Sequence, residues 1–184
     1  MSCPKFVAGL LFCAVLFTAT RGDEPPSKET KTTGGSENTK LAFERLKRLA
    51  GEWEYANPKD EALKGKTVVR YTMTGAGSAV VETLFPGEEQ EMISVFTRDG
   101  SQIVLTHYCC CGNQPTMRAK VGDANDHVAF EFTGGNNLDP AKDLFMHGYE
   151  VRFVDSDHIV GEWEYYQGGK SAGKHTFDLV RKKK

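Results

Sequence analysis

Five histidines and the run Cys109-Cys110-Cys111 are the side chains of this sequence with the widest chemical reach. A neutral imidazole binds zinc, copper or haem iron and moves protons near pH 7, and a thiolate is a nucleophile and a soft metal ligand. His107 alternates with Ile103 and Leu105, His147 with Tyr149, Val151 and Phe153, and His175 with Phe177 and Leu179. Alternate residues of a strand share a face, and an apolar face turns to the core. These three histidines are therefore predicted to point inward. His127 and His158 alternate against their apolar neighbours and point outward. Cys109, two residues past His107, follows the inward set.

Short strands must position these groups. After Gly51 the apolar spacing has period two, and ten strands are read at 52–56, 67–73, 78–85, 90–97, 102–109, 116–121, 127–133, 145–154, 158–166 and 174–181. Pro86-Gly87, Asp99-Gly100, Gly122-Asp123 and Gly168-Gly169 separate them as tight turns. Before them, Leu41 to Ala50 carries one apolar helical face and stops at Gly51. The predicted fold is all-β, an antiparallel up-and-down barrel of about ten strands with a short N-terminal helix, because closure removes exposed edges. Ten strands leave more interior than side chains fill. Strand direction then places His107, His147 and His175 at one end of the barrel, beside the loop from Cys110 to Pro115.

Several chemistries fit that end. Imidazoles of His107, His147 and His175, with Cys109, are ligands of the right type for zinc, and one imidazole suffices for haem. The simpler expectation is a polar-lined pocket, with His107, Cys109, Asn113, Gln114, His147, Tyr149, His175 and Phe177 around a small apolar ligand. Phe96, Leu105, Met117, Phe130 and Val151 would complete its walls. No cofactor is predicted, and no catalytic residue is assigned. A small lyase, isomerase or hydrolase would have to use the rim histidines with Tyr108 or Cys109. His107 and Cys109, two apart on a strand, lie ~6–7 Å from each other, too far for a nucleophile and its base without bending. A third class is an interaction protein whose barrel is only a scaffold. Gly168-Gly169-Lys170-Ser171 mimics the end of a phosphate loop, but Glu164 stands where the first glycine belongs.

The chain has 184 residues, 39% hydrophobic and 26% charged, with a net charge of −2. That describes one soluble globular domain and argues against nucleic-acid binding, which needs clustered positive charge. Residues 1–22 read as a signal peptide: Lys5, then the apolar run Phe6 to Phe17, which is too short for a transmembrane segment. Residues 23–40 read as a disordered linker, and 41–184 as the barrel domain. The expected location is secreted or periplasmic. Signal removal takes Cys3 and Cys13 with it, so the mature chain has no disulfide framework. Oligomeric state is left open.

Gly51-Glu52-Trp53 after a short helix, followed by a strand meander, resembles the opening of the lipocalin and fatty-acid-binding-protein group. The resemblance implies that an Arg on the last strand, here Arg181, stacks over Trp53 and closes one barrel end, opposite the histidines. Thr106-His107-Tyr108-Cys109 with Gly112-Asn113-Gln114-Pro115 is similar to a secreted, mainly bacterial, lipocalin-like (calycin-type) family. That similarity implies a fold and no particular activity. His175, upstream of Arg181 on the last strand, resembles the placement of the haem-holding histidine in nitrobindin-like barrels.

Overall fold

The computed structural model describes residues 33–120 and 126–183, so the predicted signal peptide lies outside the described residues, as does the linker up to residue 32. Within them the order is α1 (Thr33–Arg48), β1 (Gly51–Tyr55), β2 (Val69–Thr74), β3 (Ala79–Leu84), β4 (Met92–Asp99), β5 (Gln102–Tyr108), β6 (Gln114–Lys120), β7 (His127–Asn136), β8 (Leu144–Phe153), β9 (His158–Gln167) and β10 (Lys170–Arg181). Each strand pairs antiparallel with the next, and β1 pairs with β10. The result is a closed ten-stranded barrel of the lipocalin and fatty-acid-binding kind. Among the described residues, no helix is long and apolar enough to cross a membrane.

Most strand boundaries differ from the sequence reading by one or two residues; the helix, β7 and β10, which starts at Lys170 and not at 174, differ by more. The helix starts at Thr33, inside the segment read as linker. Thr39 is buried and its hydroxyl donates to the Ser101 carbonyl at 2.7 Å, which extends the packed face of Ala42, Phe43, Leu46 and Leu49 toward the N-terminus. A polar residue that finds its partner on the barrel is invisible to apolar spacing. Likewise β7 runs on to Asn136, through two glycines beyond the strand end expected at residue 133. Gly134 and Gly135 join the ladder opposite Thr116 and Pro115. A Cβ on Gly135 would lie 2.8 Å from the Gln114 carbonyl oxygen, so only glycine allows this approach.

Closure of the ring rests on β1. Trp53 pairs with Arg181 of β10 on one side and Val69 of β2 on the other. The Trp53 ring is fully buried, and its indole N–H donates to the Leu49 carbonyl at 2.8 Å. The Arg181 guanidinium lies 4.4 Å from the ring centroid and donates to the carbonyls of Ala50, Arg48 and Ser156 and to the Asp157 carboxylate. Gly51 makes room for it: φ is +136°, and a Cβ would sit 2.9 Å from the Arg181 Nη1. Helix, first strand, last strand and the 155–157 loop thus meet at one group.

The interior departs from expectation in how full it is. Trp53 fills the closed end, and Tyr71, Phe96, Phe130 and Trp163, all nearly inaccessible, fill the interior with Leu105, Met117 and Val151. Aromatic volume consumes the space that ten strands enclose, and open space remains toward the end away from Trp53. Replacing Trp53 with alanine should lower stability by ~3–5 kcal/mol. Urea unfolding should show a reduced midpoint at unchanged slope; an unchanged midpoint would deny the seam its role.

Candidate functional site

In β3 the buried positions are Val80, Glu82 and Leu84, so a carboxylate shares the inward face. Its strand neighbours are set by register. Tyr71 of β2 pairs with Glu82, Glu82 with Ser94 of β4, and Ser94 with His107 of β5. Four polar side chains therefore form one row across four strands, all buried. The Tyr71 hydroxyl donates to Glu82 Oε1 at 2.7 Å. From β8, the Tyr149 hydroxyl reaches the same oxygen at 3.3 Å. Ser94 Oγ and His107 Nδ1 are 3.0 Å apart. Gly161 permits the crossing, since its face lies against the Tyr149 ring and hydroxyl.

Trp163 of β9 covers this row. Its ring stacks on Tyr149 at 4.3 Å and lies 4.8 Å from the His107 ring. Three buried atoms here have no hydrogen-bond partner in the protein: Glu82 Oε2, His107 Nε2 and Trp163 Nε1. Leaving a buried polar atom unpaired costs about 1–3 kcal/mol, so the row holds unused hydrogen-bonding capacity. Burial pushes the Glu82 carboxyl up, while the hydroxyls of Tyr71, Ser94 and Tyr149 pull it the other way. Burial pushes His107 down to about 4, which keeps the ring neutral near pH 7. Tyr71 and Tyr149 are raised, first by burial and then by the Glu82 charge.

Two spaces adjoin the row. A narrow gap with no room for a water molecule lies among Tyr71, Glu82, Tyr149 and Trp163. Above it, a pocket of about 300 Å³ opens at the barrel mouth, lined by Leu84, Phe85, Met92, Met146, Trp163, Tyr165, His175 and Phe177. Leu84, Trp163 and Phe177 line both. A larger cleft, about 700 Å³, separates α1 from residues 153–157 at the closed end. Its Arg181 and Asp157 are already engaged with each other, so that cleft is the flank of the seam.

The predicted site residues fall in different places. His107, Tyr149 and Phe177 are inward and buried. His175 is exposed at the mouth, edge-on to Phe177 at 4.5 Å. Cys109 is half-buried at the rim, its thiol pushed up to about 12 by burial first and by the neighbouring cysteines. Asn113 is buried and donates from Nδ2 to the Leu144 carbonyl, and Gln114 donates from Nε2 to the Gly112 carbonyl, so these amides hold the loop. Tyr108 is exposed, on the face opposite His107.

His147 requires a correction. The β8–β9 register shifts between Met146 and Gly148: Met146 pairs with inward-facing Tyr165, and Gly148 with Glu164. The extra residue carries His147 to the outer face, where its ring stacks on Tyr166 at 3.7 Å beside Phe132 and Phe145. With the Trp163 ring against His107, and His175 paired beside it in the ladder, the three imidazoles do not converge. The three-histidine zinc centre is therefore set aside. Among the described residues, the one group of three potential metal ligands close together is Cys109, Cys110 and Cys111.

Sequence reasoning missed Tyr71, Glu82 and Ser94. The signal was there in the alternation Val80, Glu82, Leu84, which sets a carboxylate among inward apolar residues. Comparison of the chain with protein-family models and with curated proteins finds no match.

The neutral His107 ring ties stability to pH. The unfolded imidazole titrates near 6.5 and the folded one near 4, so between these values only the unfolded state takes up the proton. Its contribution is complete above pH 6.5 and is lost as pH falls toward 4, about 3 kcal/mol in all. Glu82 runs the other way, its contribution present at low pH and lost as pH rises. The gap in unfolding free energy between wild type and His107→Asn should therefore narrow by about 3 kcal/mol from pH 7 to pH 4. Urea unfolding at both pH values checks this, and a constant gap contradicts a buried neutral ring.

Proposed function

We propose that the barrel binds one small, mostly apolar molecule at its mouth, and that the chain belongs to the secreted lipocalin-like family its motif resembles. The observation that carries the binding reading is the 300 Å³ pocket, whose walls are almost wholly apolar and whose floor is the Trp163 ring. That volume is at the low end of the ~300–1,000 Å³ of ligand pockets, so the ligand is smaller than the long-chain lipids that wider barrels enclose. Apolar burial supplies the affinity and the floor selects the polar end.

The floor favours a neutral group that both donates and accepts. Rotation of the Trp163 ring would join the pocket to the void beside Glu82, where an indole N–H and a carboxyl oxygen lack partners. A hydroxyl or primary amide answers both. A carboxylate would have to bury its own charge in a row without a lysine or arginine. Burying an unpaired charge is far more costly than burying a neutral hydroxyl or amide.

Calorimetric titration with decanol, decanamide and decanoate tests this. The alcohol and amide should bind at least about tenfold more tightly than the acid at pH 7, a difference of ~1.4 kcal/mol. The same ligands should change the emission of Trp163, and Trp163→Phe should remove that change. No binding by any of the three contradicts the ligand-binding reading, and tighter binding of the acid contradicts the assigned polarity.

A further inference from the structure

We propose that Cys109, Cys110 and Cys111 form a site for one soft, thiol-seeking metal ion of the Cu(I) kind, held by three sulfurs at the rim of the barrel. The three Sγ atoms all lie within 4.8 Å of one another. An ion at the centre of three sulfurs, with metal–sulfur distances of about 2.3 Å, sets them about 4 Å apart. Closing that difference takes side-chain rotation and no movement of the fold.

Consecutive residues in a strand cannot do this, because their side chains alternate between faces. Here β5 ends at Tyr108 and the chain turns. The Gly112 N–H donates to the Cys109 carbonyl at 2.9 Å, and the Cys109 N–H donates to the Asn113 carbonyl at 3.1 Å. Gly112 takes φ of +82°, which closes the turn. Within it the Cys111 N–H points at the Cys109 sulfur, 3.5 Å away. Hydrogen bonds of that type orient sulfur ligands and temper their charge.

The turn is also pinned from outside. Asn137 and Gln114 both donate to the Gly112 carbonyl, and Asn113 donates to Leu144 at the start of β8. Cys109 packs against the core, while Cys110 and Cys111 are exposed and open to an arriving ion. A loop held in place beforehand loses little freedom on binding. Ligand chemistry sets the class of ion: three sulfurs with no imidazole or carboxylate in the group select soft ions over magnesium, calcium or manganese. Adjacent cysteines do not readily form a disulfide instead, since their Cα atoms are about 3.8 Å apart and unstrained bridges need about 4.4 Å or more. On binding, the thiol protons leave to solvent and no electron moves.

The test uses the full chain with Cys3 and Cys13 replaced by serine, reduced with a phosphine and kept anaerobic. Cu(I) is titrated in competition with a chromogenic chelator. The expected result is one ion per chain, with Cys110→Ser and Cys111→Ser each weakening binding at least tenfold at unchanged melting temperature. X-ray absorption should show sulfur neighbours only. Bound Cu(I) should also protect all three thiols from iodoacetamide, counted by mass, a readout that needs no variant at the turn. Equal Cu(I) binding by wild type and the Cys110→Ser/Cys111→Ser double variant would overturn the site. So would nitrogen ligands in the absorption spectrum, or alkylation of the three thiols at the same rate with and without the ion.

Discussion

Arg181 over Trp53 is the contact on which the rest of the structure depends. A ten-stranded sheet has two edges until its first and last strands meet, and β1 is only five residues long. Its few ladder bonds would be a weak seam alone. The guanidinium adds a cation over an aromatic face and donates to main-chain carbonyls at the end of α1, just beyond it, and in the 155–157 loop. It therefore joins both ends of the described barrel to the helix that plugs it. With that end sealed, access falls to the opposite mouth, and the position of the pocket follows from the position of the seam.

Inside, two kinds of residue divide the volume. Aromatic rings fill the middle and leave a small apolar pocket beneath the mouth. The row Tyr71, Glu82, Ser94 and His107 instead places hydrogen-bonding groups where hydrocarbon would be more stable. Its members pair with each other in part, and the unpaired atoms gather under Trp163. A barrel built only for stability would have no such row. The row lies at the level of the pocket floor, so the proposed ligand would meet hydrogen-bonding capacity that packing leaves unused.

Much of the fold was legible because period-two alternation is a local signal. All ten strands overlap the ranges the pattern gives, and Ile103, Leu105, His107, Tyr149, Val151, Phe177 and Leu179 are buried as it predicts. His147 was not legible. One extra residue between Met146 and Gly148 reverses its face, and a bulge leaves no mark on composition. Glu82 was legible and overlooked, since attention to histidines and cysteines passed over an acid at an inward position. The fullness of the interior depends on how Phe96, Phe130, Tyr149 and Trp163 stack across the barrel, which strand count cannot convey. The gathering of the three thiols depends on the turn after Tyr108, whose geometry lies beyond alternation.

Methionine methyl groups offer the most direct measurement of where a ligand lies. Met92 and Met146 line the mouth pocket, Met117 is buried away from it, and Met73 is exposed on β2. In protein labelled at its methionine methyls, saturating decanol should shift the resonances of Met92 and Met146 and leave those of Met117 and Met73 in place. Shifts confined to Met73, or spread evenly over all four, would place the ligand elsewhere and contradict binding at the mouth.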